Sequence, residues 1–330
     1  IVIFIEFFDY DFTKMTEALQ VRDFSLITDY VSSDSESKVY NSRIRERICS
    51  LAQKFAKNHT PEEMKATLTE FYKDYGVGRF GLHKAFRVVH DENGVQIVPI
   101  QNIAHVYLND LIGYEIPKKK LIDNTEAFVE GRKANNCLLF GDAGTGKSTS
   151  IQALVNEYAD QGLRLIELYK EQYDLIPDIL RQVKGRNYRF LLFLDDLSFE
   201  ENETSYKYLK AVMEGGAEAP PENVRICATS NRRHLVREVW SDRGDMEHNG
   251  DIHRSDTVEE KLSLASRFGL QIFYPAPTFE EYQQIVSALS EKAGMDLPPE
   301  QLRAAAATWQ VRSGSRSGRT ARQFVDQLEH

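Results

Sequence analysis

The octapeptide Gly141-Asp142-Ala143-Gly144-Thr145-Gly146-Lys147-Ser148 constrains this chain more than any other segment. It fits the full G-x-x-x-x-G-K-[ST] pattern, with the apolar run NNCLLFGD leading into it and a helix expected from Lys147 to Tyr158. Glycines let the backbone curl so that successive N–H groups point at phosphates, helped by the N-terminus of the helix that follows. Lys147 would place a cation at the β/γ-phosphates, the Ser148 hydroxyl would complete a Mg²⁺ shell, and Thr149 continues the same turn. The expected ligands are ATP and Mg²⁺.

A strand–loop–helix start of this kind calls for a parallel sheet covered on both faces, and the sequence supplies one. LRLIELY, RFLLFLDD, NVRICATSN and LQIFYPAP read as further strands, alternating with helices over 172–184 and 203–214. RFLLFL is apolar on both faces, as a central parallel strand should be. It ends in Asp195 and Asp196. On a strand neighbouring the P-loop strand, Asp195 would hold Mg²⁺ through water and Asp196 would polarise the attacking water. Pro275 and Pro277 end the last strand, and helices are expected over 278–293, 298–309 and 319–328.

Upstream, residues 1–105 read as an accessory domain, mainly helical, with Thr60-Pro61-Glu62-Glu63 as a helix start. AFRVVH and VQIVPI around an Asn-Gly turn predict a hairpin within it. Residues 106–275 would form the nucleotide-binding core and 276–330 a helical region after it. The net charge of −9 argues against a chain that coats nucleic acid, because neutralising phosphates takes clustered Lys and Arg. Cys49, Cys137 and Cys227 are far apart and odd in number, so they read as reduced thiols. No apolar run is long enough to span a bilayer and the start lacks a signal-peptide pattern, so a cytoplasmic location away from membranes is expected.

With these segments in place, residues 106–328 resemble the AAA+ superfamily. DLIGYEIPKKKL is similar to the segment that packs on the adenine there, which nominates Ile112 and Gly113. ATSNRRHL resembles the strand ending in the polar sensor-1 residue, here Asn231. SLASRFGLQIFYPAP resembles the box carrying an arginine finger, here Arg267. GSRSGRTARQFVDQL resembles the lid helix with the sensor-2 arginine, here Arg322 with Arg319 as the alternate. The resemblance implies a parallel-sheet P-loop NTPase core with a C-terminal helical lid. It also implies a homo-oligomer in which Arg267 acts in trans. More narrowly, the motifs are similar to a family of bacterial AAA+ ATPases catalogued as a domain of unknown function. Asp196 departs from the superfamily, where most members carry Glu, and that leaves the turnover rate open.

The leading expectation is an ATPase that uses ATP hydrolysis to remodel or regulate a protein client. The alternative is a nucleic-acid-associated initiator or helicase loader; a third is a nucleotide switch that hydrolyses little. Only residues 170–188 separate the second and third strands, too few for the extra helix of initiators, and no helix-turn-helix domain follows the lid before His330. Among smaller signals, Arg232, Arg233, His234 and Arg237 read as an intersubunit contact or a solvated helix start. Arg312, Arg316, Arg319 and Arg322 fit a nucleotide sensor better than a DNA reader. His248 and His253, with Asp245 and Asp251, read as a solvated acidic loop rather than a metal site. That loop, 238–260, is the alternative partner for Arg267. Asp174 and Glu200 fall near strand ends with nothing else to single them out.

Overall fold

The computed structural model describes residues 42–75, 78–92, 94–101, 103–199, 205–214, 220–231, 263–295 and 297–328. The opening segment, Glu200, the Arg232–Arg237 run and the acidic 238–260 loop lie outside the described residues. The chain divides into two compact units, Ile1–His83 and Lys84–His330.

In the first unit, α1 (Ser42–Phe55), α2 (Pro61–Tyr75) and the one-turn α3 (Arg79–Leu82) are helical. Thr60 caps α2, its Oγ1 accepting from Glu63 N at 3.2 Å, and the Glu63 carboxylate accepts from His59 N at 2.7 Å. Lys54 pairs with Glu70 at 3.3 Å and Asn58 donates to Thr67 at 3.0 Å, tying α1 to α2.

The second unit holds a seven-stranded sheet. Its strands are β1 (Ala85–Asp91), β2 (Gly94–Pro99), β3 (Cys137–Gly141), β4 (Leu163–Leu168), β5 (Arg189–Leu194), β6 (Val224–Ser230) and β7 (Leu270–Tyr274), in the order β2-β1-β4-β5-β6-β3-β7. All neighbouring pairs are parallel except β1 with β2. The helices are α4 (Glu115–Val129), α5 (Lys147–Tyr158), α6 (Ile176–Val183) and α7 (Tyr206–Glu214). After β7 come α8 (Phe279–Lys292), α9 (Pro299–Ser313) and α10 (Gly318–Leu328). These last three pack on one another around Tyr282, Val286, Ala306 and Phe324. Thr278 and Glu281 form the capping box that starts α8, immediately after Pro277.

Two expectations are corrected. The hairpin does not belong with the helices before it: β1 pairs in parallel with β4, from Ala85↔Leu165 to Arg87↔Glu167. Phe86, Val88 and Ile97 are buried there, so the boundary falls between His83 and Lys84 rather than near residue 105. The acidic strand β5 is also not adjacent to the P-loop strand β3, because β6 lies between them. Three strand ends, those of β3, β6 and β5, therefore meet side by side at one edge of the sheet. Apolar side chains of β3 and β5 and of α5, among them Leu139, Phe193, Ile151 and Leu154, fix that edge by burying completely or nearly so.

Candidate nucleotide site

At this edge β3 turns sharply into the Gly141–Ser148 loop. Gly141 has φ 138°, and a Cβ there would fall 2.0 Å from the Tyr274 carbonyl oxygen at the end of β7. Gly144 has φ 75°, and its Cβ would lie 2.8 Å from Ser317 Oγ. Both positions need glycine for backbone freedom and for space. Beyond the loop, α5 presents the unpaired N–H groups of its first turn.

Lys147 is 6% exposed. Its ammonium donates to Gly141 O at 2.9 Å, Asp142 O at 2.6 Å and Asn231 Oδ1 at 3.0 Å. All three acceptors are neutral, so the cation is held but not neutralised by its bonded partners. Burial lowers its proton affinity, and the carboxylates of Asp142, Asp196 and Asp195 oppose that shift.

The order of strands puts Asn231, at the end of β6, between the lysine and the acids. Its amide nitrogen donates to Asp196 Oδ1 at 2.9 Å. Asp195 Oδ1 accepts from Ser148 Oγ at 2.6 Å and from Thr229 Oγ1 at 2.5 Å. Thr229, 2% exposed, also fixes the acidic turn: its Oγ1 accepts from Asp196 N at 3.0 Å and its carbonyl from Leu197 N at 2.6 Å. Asp196 itself sits at φ 52°, in the left-handed region. That conformation strains most L-residues by ~1–2 kcal/mol and is tolerated best by Gly, Asn and Asp. An Asp at this position suits the backbone the turn adopts. On β4, the half-buried Glu167 has its proton affinity raised by burial and then by Asp195.

A cleft of about 550 Å³ opens over these groups. Ala143 to Thr149, Asp195, Asp196, Thr229 and Asn231 form its polar side. The apolar side is made by Val106, Leu111, Ile112, Ile285 and Leu289. Ile112 lines the cleft, and Gly113 follows it at φ 76°. Both lid arginines, Arg319 and Arg322, reach the cleft wall. Arg319 lies against the loop, its N–H donating to Gly144 O at 3.3 Å, while the charge of Arg322 helps hold the Asp110 carboxyl below its usual range, after Lys292. The side chain of Asp142 is turned away, accepting from Ala276 N at 3.0 Å.

Arg267 is elsewhere. It precedes β7 at the opposite edge of the sheet, and β7 alone, Leu270 to Tyr274, spans about 13 Å at the usual strand rise. Its guanidinium pairs with Glu214 of α7 at 2.6 Å, with both side chains partly exposed. Thr229, Leu111 and Asp110 escape sequence reading. Of these, Thr229 was findable, since it lies two residues before Asn231 and so shares its face of β6.

The residues fit Mg-ATP. The glycine loop leaves room for phosphates, a buried cation faces that space, and a hydroxyl and a carboxylate from separate elements meet where a divalent ion would be shared. The sheet order and the phosphate loop define a P-loop NTPase fold of the AAA+ class. Residues 81–330 match the family described as "Protein of unknown function (DUF815)", and the chain belongs to that family.

Among curated relatives, the chain is 26% identical over 203 residues to the replication factor C large subunit of Methanococcus vannielii, covering 58% of this chain and 37% of that one. It is 33% identical over 96 residues to the same subunit from Methanococcus maripaludis, covering 27% and 19%. The chain thus spans well under half the length of these relatives. Among solved structures, Thermotoga maritima RuvB aligns with a TM-score of 0.47 at 18% identity, over 68% of this chain and 64% of that one. The FIGL-1 AAA domain in complex with ADP aligns at 0.46 and 19%, over 67% and 72%. Among the described residues no helix is long and apolar enough to cross a membrane.

Proposed function

We propose that this chain binds and hydrolyses Mg-ATP in a homo-oligomer and couples the cycle to remodelling or regulation of a protein partner. The observation that carries the reading is the chain of contacts Lys147–Asn231–Asp196, which joins the phosphate loop to the acidic turn through one amide. In this reading Lys147 and the loop N–H groups hold the phosphates. Ser148 and Asp195 hold Mg²⁺, which when bound neutralises charge on the phosphate oxygens. Asp196 orients and polarises water for attack, and Asn231 fixes Asp196. The apolar wall at Ile112 and Leu289 receives the base, and Arg319 and Arg322 approach the phosphates from the lid.

Assembly is supported by the place of Arg267. It stands away from its own cleft and is partly exposed, as a group serving a neighbouring subunit would be. Purified protein with Mg-ATP should release phosphate at a specific rate that rises with protein concentration. A rate independent of concentration, or no phosphate release at all, would sink the oligomeric ATPase reading. Isolation of partners on Asp196→Asn, held in the ATP state, would identify the client.

The sequence match to replication factor C large subunits favours a second reading, a nucleic-acid-associated loader. The net charge of −9 weighs against it. Sub-micromolar DNA binding at physiological salt, with affinity falling steeply as salt rises, would put this reading first.

A further inference from the structure

The lid joins the core through four residues, Pro275-Ala276-Pro277-Thr278, between β7 and α8. Proline has no N–H, so Ala276 carries the only backbone donor of Pro275–Pro277. That donor is taken by Asp142 Oδ2 at 3.0 Å. The carbonyl of Pro275 is also taken, accepting from Tyr114 Oη at 3.0 Å. Tyr114 stacks on Tyr274 with ring centroids 5.2 Å apart.

A second contact enters the lid two residues along the same loop, where Gly144 O accepts from Arg319 N at 3.3 Å. The P-loop therefore grips the lid at its first residues and again at the start of its last helix. Lys147 holds the same loop from the other side, at the carbonyls of Gly141 and Asp142. An ammonium has three donors, and here all three are used. A phosphate can bind Lys147 only by displacing one of these acceptors, two of which are backbone of the residues that anchor the linker.

From this we infer that Asp142 is a lid-positioning residue: its carboxylate clamps the β7–α8 linker to the P-loop and so sets where Arg319 and Arg322 stand over the cleft. It acts through Ala276 and not on the phosphates. The clamp itself does not depend on the ATPase reading; only its response to nucleotide does.

The test uses the full chain with Cys49→Ser and spin labels on Lys133→Cys, before β3, and Glu300→Cys, on α9, both exposed sites. Pulsed electron resonance then reads core-to-lid distances. Without nucleotide, the protein should give one narrow population. Asp142→Ala should add an open one, the closed-to-open ratio falling about tenfold or more on loss of a charge-assisted hydrogen bond. Asp142→Asn keeps an acceptor oxygen and should stay closed. Ala276→Pro deletes the donor while leaving the loop intact, and should open as Asp142→Ala does. Unchanged distances in folded Asp142→Ala, or in Ala276→Pro should the first not fold, overturn the proposal. So does opening in Asp142→Asn equal to that in Asp142→Ala.

Mg-ADP, with binding checked by calorimetry, should shift the wild-type distance but not that of Asp142→Ala. Bound nucleotide with no wild-type shift overturns the transmission. No binding at all overturns the ATP reading and leaves the nucleotide-free results to judge the clamp.

Discussion

The amide of Asn231 donates to Asp196 at 2.9 Å and accepts from Lys147 at 3.0 Å, so one side chain holds the acid and the cation of the cleft at once. Its orientation is fixed by having a donor partner on one end and an acceptor on the other. Asn231→Ala frees Asp196 to move, and misplacement of order 1 Å near reacting atoms is worth about 10²-fold in rate. The expected outcome is a fall in kcat of that size with a much smaller change in KM, read from steady-state phosphate release. Equal losses in both would point to a binding role instead.

Lys147→Ala removes the buried cation that faces the phosphate space. ATP affinity should drop by roughly 10–100-fold, the worth of a charge-assisted hydrogen bond. Titration with a fluorescent ATP analogue measures it, and an unchanged Kd would remove the P-loop assignment.

Asp196 joins chemistry to strain, and the two can be pulled apart. Asp196→Asn should bind Mg-ATP yet lose most turnover, since an amide is a poor base of similar shape. Asp196→Gly should lose turnover as well, but relief at φ 52° should stabilise the fold by up to ~1 kcal/mol. Chemical denaturation beside the activity assay checks both. A glycine variant less stable than wild type would mean that the lost Asn231 contact and the chain entropy of glycine together outweigh the strain.

Arg267→Ala should bind ATP and hydrolyse it slowly, a trans-acting finger being worth ~10³-fold or more. Lys147→Ala should be slow for a different reason, since at ATP concentrations below its weakened Kd its own pocket stays largely empty. Mixed, the two can form sites with an intact pocket and an intact finger, so partial recovery of ATPase is expected. Two folded variants that co-assemble and stay inactive would leave Arg267 as no more than the partner of Glu214.

Much of this was legible in the sequence because it is local. The P-loop, the helix from Lys147 to Tyr158 and the strands read from their own residues, and Thr60 and Thr278 announce the helices they cap. Sheet order is not local. Nothing in RFLLFLDD or NVRICATSN says that β6 inserts beside β3, yet that insertion puts Asn231 and Thr229 between Lys147 and the acids. The lid arginines show the same limit. Spacing favours Arg322, while the fold brings Arg319 onto the loop through Gly144. Asp142 reads as one more loop residue until the linker, distant in sequence, comes to it.

The hairpin at the sheet's end decides where this chain can be cut. Ala85 to Arg87 cover one side of β4, and the carbonyls of Val88 and Val95 are taken by Gln172 and by Gln182 of α6. A fragment excised at residue 106, where the nucleotide-binding motifs begin, would strip a row of main-chain donors and acceptors bare and uncap a buried apolar flank. Such an edge adheres to its own copies. A fragment beginning at Lys84 carries its own border with it.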